Sequence, residues 1–307
     1  MINKNSQYFR QAELVVRILP WVAKHDCFAL KGGTAINLFV QDMPRLSVDI
    51  DLTYLPVRDR DASLKDIEQA LRSIAHDIKK QVPGSSVKEI PTGNPKMISK
   101  LHVFRNDIQI KIEPNLVIRG TAFPCRDLEL SAKAQTAFEM SVNIKVVSVA
   151  DLYGGKICAA LDRQHPRDLF DIKMLLEGIG ITSEVKKGFL VYLISHDRPM
   201  HELLHPNLKD IRQEYETDFY GMTDDRFSLA DLVEARGNLI ESIARGLSDT
   251  DKEFLISFKR GEPQWRLLGL DGVERLPAVR WKLANIQKMD SEKRRVFVEK
   301  LKASFES

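Results

Sequence analysis

Apolar residues recur along the chain at two spacings, which predict two kinds of element. Spacings of three and four residues predict helices ending near His25, over Asp61–Lys80, from Ser148, from Pro166, over Phe227–Gly246 and over Ser291–Phe305. Alternation and short apolar runs predict strands at Cys27–Leu30, Arg45–Leu52, Ile98–Phe104, Ile108–Glu113 and Ile144–Val147. Strands are thus expected in the first half of the chain, and mostly helices after about Thr182.

The first of two unusual motifs is a glycine turn between a predicted strand and a short predicted helix. Its sequence is Lys31-Gly32-Gly33-Thr34-Ala35. Adjacent glycines let the backbone turn sharply and leave its N–H groups open to a ligand. The N-terminus of a helix placed there offers unpaired donors and suits a phosphate. Although Gly-Gly alone usually marks a plain turn, this setting predicts a phosphate-binding turn.

The second motif is a strand with two carboxylates on one face. Side chains alternate along a strand, so Ser47, Asp49 and Asp51 share a face with Arg45, while the alternate residues are apolar. Neighbouring carboxylates repel each other unless a cation lies between them, and their oxygens favour Mg²⁺. Most Asp-x-Asp pairs are solvated surface pairs, but a phosphate-binding turn followed by this pair predicts phosphoryl or nucleotidyl transfer.

Glu113 is a candidate third metal ligand. It ends a predicted strand whose isoleucines point one way and whose polar residues point the other. If this strand lies beside the Asp49 strand, Glu113 becomes a candidate third carboxylate of the site. The alternative is an exposed face on an edge strand.

Two glycines inside a later predicted helix draw attention to Lys156. Gly154 and Gly155 cost roughly 2 kcal/mol relative to alanine, which suggests close approach of another backbone or of a ligand. Lys156 follows them directly and could reach a triphosphate as a point charge. The alternative for Lys156 is an ordinary surface lysine. Asp168 and Asp171 share a face of the next helix, where acidic residues also simply stabilise a helix N-terminus.

Composition limits the remaining possibilities. The chain has 307 residues, of which 43% are hydrophobic, and a net charge of +3, which by itself does not indicate nucleic-acid binding. Its three cysteines form no Cys-x-x-Cys pair, which argues against a zinc site or a disulfide framework and fits the cytoplasm. No apolar run is long enough for a membrane span. The sequence lacks a P-loop and a protein-kinase motif set.

The segment from Asp251 to the end carries 13 Lys and Arg against 9 Asp and Glu. Lys293, Arg294, Arg295 and Lys300 lie in its last predicted helix. Cations of this kind can contact RNA phosphates, although they can also merely solvate a helix face. We predict an RNA-contacting surface in this segment.

The motifs together resemble the AbiEii/AbiGii family of nucleotidyltransferase toxins, found in toxin–antitoxin and abortive-infection systems. The resemblance rests on four stretches and covers most of the chain: Lys31–Ala35, Arg45–Leu52, Asp151–Lys156 and His165–Asp171. A fifth, Leu276–Asn285, also looks like a family feature. The resemblance implies an α+β fold, in which a polymerase-β-like nucleotidyltransferase mixed sheet with helices (residues 1–178) precedes a mainly α-helical C-terminal domain (residues 179–307).

The resemblance also implies the chemistry. It implies a Mg²⁺-dependent enzyme that transfers nucleotides from an NTP to RNA, at the 3′ end of tRNA, with a possible cognate antitoxin as partner. The implied roles are phosphate contact by Lys31, Gly32, Gly33 and Thr34; catalysis by Ser47, Asp49 and Asp51; metal binding by the two aspartates; triphosphate binding by Lys156; and a distal acid at Asp168, or at Asp171 instead. Glu113 is predicted as a further metal ligand from the strand pattern alone.

Two other activities stay open from the residues alone. One is transfer of a phosphate or nucleotide to a protein side chain. The other is a non-catalytic NTP-binding partner in a complex. Labelled NTPs offered to total RNA or to total protein distinguish these activities from RNA modification.

Overall fold

The computed structural model describes residues 3–93, 97–223 and 227–306. The chain forms two compact units. The first comprises Met1–Ser148 with Phe219–Phe227, and the second comprises Val149–Asp218 with Ser228–Ser307. The described strands lie in the first unit and the second unit is helical, which confirms the predicted α+β class. The domain boundary expected after residue 178 stays a prediction. The compact units differ from it in grouping residues 149–178 with the later helices.

The first unit is built on a mixed seven-stranded sheet. Its strands are β1 (Phe28–Lys31), β2 (Asp49–Tyr54), β3 (Ser85–Thr92), β4 (Met97–Arg105), β5 (Ile108–Asn115), β6 (Arg126–Glu129) and β7 (Asn143–Val146). Their order in space is β3-β4-β5-β2-β1-β7-β6. The pairs β2–β5 and β1–β7 are parallel, and the other neighbours are antiparallel. The carboxylate strand β2 is therefore central, between β1 and β5.

Alternation along the central strands gives the sheet one apolar face. Its buried side chains include Ile50, Leu52, Leu101, Val103, Ile110 and Ile112. Each fully buried side chain of this size contributes about 1.5–3 kcal/mol. The helices of this unit are α1 (Gln7–Ala23), α2 (Gly32–Ala35), α3 (Arg60–Gln81) and α4 (Ala132–Phe138), with a π-helical turn at Ile36–Val40. Helix α1 packs on β5, and α3 packs on β3 and β4.

The second unit is built of helices. They are α5 (Val149–Asp162), α6 (Pro166–Glu177), α7 (Ser183–Ser195), α8 (Met200–Leu204), α9 (Arg212–Asp218), α10 (Leu229–Gly246), α11 (Asp249–Arg260), α12 (Trp265–Leu268), α13 (Pro277–Gln287) and α14 (Ser291–Ala303). Reciprocal capping boxes begin α10, through Ser228 and Asp231, and α11, through Ser248 and Asp251. Among the described residues, no helix has the length and apolarity needed to span a bilayer.

The predicted elements are confirmed in most places, with one correction. The strand predicted from Arg45 begins only at Asp49. The prediction is wrong for the first four residues because the Leu46 N–H donates to the Met222 carbonyl, 2.8 Å away, rather than to a neighbouring strand. Sequence patterning also missed β3, β6 and α4, whose residues are largely polar or exposed.

Candidate active site

The glycine turn lies against the carboxylate strand. Gly32 has φ +71°, a conformation that favours glycine, and a Cβ added there would collide with the Asp51 carboxylate. A Cβ added to Gly33 would lie 2.6 Å from Nη2 of Arg45 and 3.0 Å from Oγ of Ser47. Both glycines are therefore required by close approach, and the turn, Ser47 and Asp51 form one site.

Hydrogen bonds fix the turn to the start of β2. The Thr34 hydroxyl donates to the backbone carbonyl of Asp49, and its oxygen lies 3.0 Å from Oγ of Ser47. The buried Asn37 side chain donates from Nδ2 to the Gly33 carbonyl at 2.9 Å. Thr34 thus connects the turn to the carboxylate strand, while Asn37 braces the turn itself.

Asp49 and Asp51 project from the same face of β2, and both side chains are partly exposed. In the register of the sheet, Asp51 lies opposite Lys31 on β1 and opposite Glu113 on β5. Glu113 was a candidate only if its strand lies beside the Asp49 strand, and β5 does pair with β2. Its carboxylate accepts a hydrogen bond from Nζ of Lys100 at 3.0 Å, which directs it toward β4.

The donor set fits Mg²⁺ through the aspartate pair. Over the described ranges, no three His, Cys, Asp or Glu side chains are grouped so that they alone could hold a metal ion. Mg²⁺, however, is usually bound by one or two carboxylates together with substrate phosphates and water. Asp49 and Asp51 provide such a pair beside the glycine turn. A ligand role for Glu113 stays a prediction.

The second unit holds a buried ionic network between α5 and α6. Nζ of Lys156 lies 2.9 Å from Oδ1 of Asp168 and 2.9 Å from Oδ2 of Asp171, and these three side chains are at most 7% exposed. Nη2 of Arg163 donates to Oδ1 of Asp168 at 2.9 Å. Lys156 is thus not a surface lysine. Because both aspartates contact it, the distal acid could be either, and the assignment to Asp168 stays a prediction.

The charges of this network hold Asp168 ionised. Burial alone would raise its pKa, but the ammonium of Lys156 and the guanidinium of Arg163 together lower the pKa well below the ordinary aspartate value. The buried ammonium of Lys156 and the largely exposed guanidinium of Arg163 compensate the two buried carboxylates. Without these partners, a buried carboxylate would be costly.

The two glycines before Lys156 allow a close helix contact. A Cβ added to Gly154 would lie 2.5 Å from the carbonyl carbon of Gly188 on α7. Gly155 faces the ring of Tyr192, which an added Cβ would approach to 3.0 Å. Of the two explanations offered for these glycines, the structure supports approach of another backbone, which sets α5 firmly against α7.

The sequence model of the family described as "Nucleotidyl transferase AbiEii toxin, Type IV TA system" matches residues 13–285, which is most of the chain. The chain belongs to the AbiEii family. It is accordingly a nucleotidyltransferase toxin of a type IV toxin–antitoxin system, which confirms the family resemblance drawn from the motifs.

The chain is also similar to a solved structure, that of MenT4, a nucleotidyltransferase toxin from Mycobacterium tuberculosis H37Rv. The TM-score is 0.62 at 15% sequence identity, over 91% of this chain and 93% of the other. At this identity the similarity establishes the fold. No curated protein matches this chain by sequence.

Within this AbiEii chain, the predicted site residues fall into two groups. The first unit brings together the glycine turn, Thr34, Ser47, Asp49 and Asp51, and the second unit brings together Lys156, Asp168 and Asp171.

Sequence reasoning assigned no role to Arg45. This side chain is 2% exposed, lies against Gly33 and donates from Nη1 to its neighbour's carbonyl, that of Leu46. Its position in the sequence could have indicated a role in the site, because Arg45 alternates onto the same polar face as Ser47 and Asp49.

Replacing Gly33 by alanine is expected to lower nucleotide transfer by up to about 10²-fold. The new methyl group must displace the Arg45 guanidinium, and misplacement by about 1 Å can cost this much. Overpacking should lower the free energy of unfolding by about 1–3 kcal/mol. Transfer rates and urea unfolding check both effects.

Gly237→Ala is the matched control, because a Cβ added at Gly237 meets no heavy atom within 4 Å. It should leave transfer unchanged. A Gly33→Ala variant as active as this control would refute the close-packed turn.

Acid unfolding should reveal the Asp168 pairs. A carboxyl with a lowered pKa in the folded state contributes stability above the unfolded value, 3.8, and this contribution is lost as pH falls through the folded value. The stability difference between wild type and Asp168→Asn should be full at neutral pH and shrink below 3.8. Urea unfolding at several pH values measures it, and a difference independent of pH would contradict the assignment.

Proposed function

We propose that this AbiEii-family toxin is a Mg²⁺-dependent enzyme that transfers nucleotides from an NTP to an RNA acceptor, the 3′ end of tRNA. The observation that carries the proposal is the placement of Asp51 against Gly32, with Asp49 beside it on β2. A carboxylate pair next to a glycine turn suits a metal-bound triphosphate.

The proposed reaction is a displacement at the α-phosphorus of the NTP. The oxygen of an acceptor 3′-hydroxyl forms a bond to this phosphorus, the bond to the β-phosphate oxygen breaks, and pyrophosphate leaves while the hydroxyl proton passes to water. Bound Mg²⁺ supplies charge neutralisation for the phosphates and the attacking oxygen.

Each residue group of the chain has a proposed task. Asp49 and Asp51 would hold Mg²⁺, Ser47 and the turn from Lys31 to Thr34 would contact phosphates, and Thr34 keeps the turn on β2. Lys156 binds the triphosphate as a cation, and its pairs with Asp168 and Asp171 fix its position. A lysine held between two carboxylates is already ordered, so little side-chain entropy is lost when it binds.

Incubation with labelled NTPs tests the proposal. Wild-type protein is offered total RNA or total protein, with Mg²⁺ or with a chelator, and with purified tRNA as a defined acceptor. Mg²⁺-dependent label in tRNA supports the proposal. Label in protein would instead indicate modification of a protein side chain, and no label with retained NTP binding would indicate a non-catalytic NTP-binding protein.

A toxin of this type also implies a cognate antitoxin. We propose that such a partner is encoded with the toxin and keeps it inactive. Co-expression with candidate neighbouring open reading frames, scored by restored growth, tests this.

A further inference from the structure

The sheet of the first unit has a second face, which is polar and carries a row of charges ending at the catalytic strand. Helices α1 and α3 cover the apolar face. On the other face, the register places Lys88 of β3 opposite His102 of β4, His102 opposite Lys111 of β5, and Lys111 opposite Asp49 of β2. Neighbouring strands lie about 4.8 Å apart, so the row extends about 14 Å from Lys88 to Asp49.

Two lysines of this row carry uncompensated charge. Lys88 and Lys111 are exposed, and neither has an ion-pair partner within residues 3–93, 97–223 and 227–306. The third lysine on this face, Lys100, is neutralised by Glu113 at 3.0 Å. The row is therefore positive at its outer end and acidic where it meets β2.

His102 lies between Lys88 and Lys111 in this row, and Phe104 lies two residues further along β4 on the same face. The rings of His102 and Phe104 are 6.4 Å apart in an edge-on arrangement, and both are partly exposed. Gln109 contacts Nδ1 of His102 at 3.1 Å and fixes its ring. Partial burial, followed by the charges of Lys111, Lys100 and Lys88, lowers the pKa of His102, which favours the neutral ring.

We propose that this face of β3, β4 and β5, defined by Lys88, His102, Phe104 and Lys111, binds the single-stranded end of the RNA acceptor. Aromatic rings on an open sheet face stack on splayed bases, and neighbouring lysines contact the backbone phosphates. The row then leads the strand to Asp49. This inference rests on the proposed function and locates the acceptor in the catalytic unit.

An acidic protein is the main alternative partner for a basic face. The aromatic pair of Phe104 and the fixed His102 favours bases over carboxylates, because base stacking uses ring faces that an acidic peptide does not need. The comparison of an RNA oligonucleotide with a base-free chain of equal charge separates these two partners.

The test measures binding of a short fluorescent single-stranded RNA to full-length variants over a range of salt concentrations. Lys88→Gln with Lys111→Gln should flatten the slope of log affinity against log salt by about 1.4, because each phosphate contact on a single strand contributes about 0.7. Phe104→Leu should weaken binding about five-fold or more, and Phe104→Tyr should restore it, because base stacking needs the ring.

The matched control is Lys65→Gln with Lys80→Gln. It removes the same charge from exposed positions of α3, which covers the opposite sheet face. It should leave the salt slope nearly unchanged. A further comparison is Lys293→Gln with Arg294→Gln and Arg295→Gln, the surface that the sequence suggested; Arg295 there already pairs with Glu292 at 2.6 Å.

Several outcomes overturn the inference. This face is excluded as a base-stacking surface if the sheet-face variants bind RNA with wild-type affinity, or if the α3 control loses as much affinity as they do. It is also excluded if only the α14 variant loses affinity, or if the base-free chain binds as tightly as RNA. If wild type labels and binds RNA, these results leave the proposed function standing. If wild type neither binds nor labels RNA, the proposed function fails as well.

Discussion

Asp49→Asn is expected to lower the rate of nucleotide transfer by about 10³-fold or more while the protein stays folded. A metal ion contributes several kcal/mol to stabilisation of phosphoryl transition states, and each 1.36 kcal/mol is a factor of ten in rate. Asparagine has nearly the same shape but a weaker, neutral oxygen ligand. It also removes repulsion from Asp51, so the melting temperature should equal or exceed that of wild type.

Asp127→Asn is the matched control for this variant. Asp127 is an exposed carboxylate on β6 of the same sheet, far along the strand order from β2. It should keep wild-type activity. Binding of Mn²⁺, followed by its effect on water proton relaxation, gives a readout independent of turnover and should weaken only in Asp49→Asn. A correctly folded Asp49→Asn protein with full activity would contradict the assignment of Asp49 as a metal ligand.

The local parts of this site could be predicted because each is encoded in a few consecutive residues. Gly32 and Gly33 predict a turn. The alternation around Asp49 and Asp51 places both carboxylates on one face of the strand, independently of which strands lie beside it. Glu113 was different. Its proximity to Asp51 depends on β5 pairing with β2, a contact between residues far apart in sequence that no local pattern specifies.

Long-range pairing also explains what sequence reasoning missed. The edge strand β3 has little apolar alternation, and none of its residues is fully buried. Arg45 is charged, and nothing local indicates that its guanidinium is buried beside Gly33. The spacing of Asp168 and Asp171 put both on one helix face, but that this face meets Lys156 follows only from the packing of α5 on α6.

Lys156→Ala is expected to lower both the free energy of unfolding and the use of NTP. Removing this ammonium leaves two buried carboxylates with only the Arg163 guanidinium to balance them. Breaking a buried pair by removing one partner typically costs about 3–5 kcal/mol. Urea unfolding should show a loss of this size. Loss of a phosphate-binding cation should weaken NTP use, whereas RNA affinity should stay nearly intact because the lysine acts on the nucleotide.

A second variant separates the two roles of Lys156. In Lys156→Ala with Asp171→Asn, one negative charge goes with the positive one, so Asp168 and Arg163 compensate each other and much of the lost stability should return. If Lys156 binds the triphosphate, NTP affinity should stay low in this restored protein, as measured by equilibrium binding of a non-hydrolysable NTP analogue. If Lys156 only balances the buried charge, NTP affinity should recover with stability, and that result would remove Lys156 from the site.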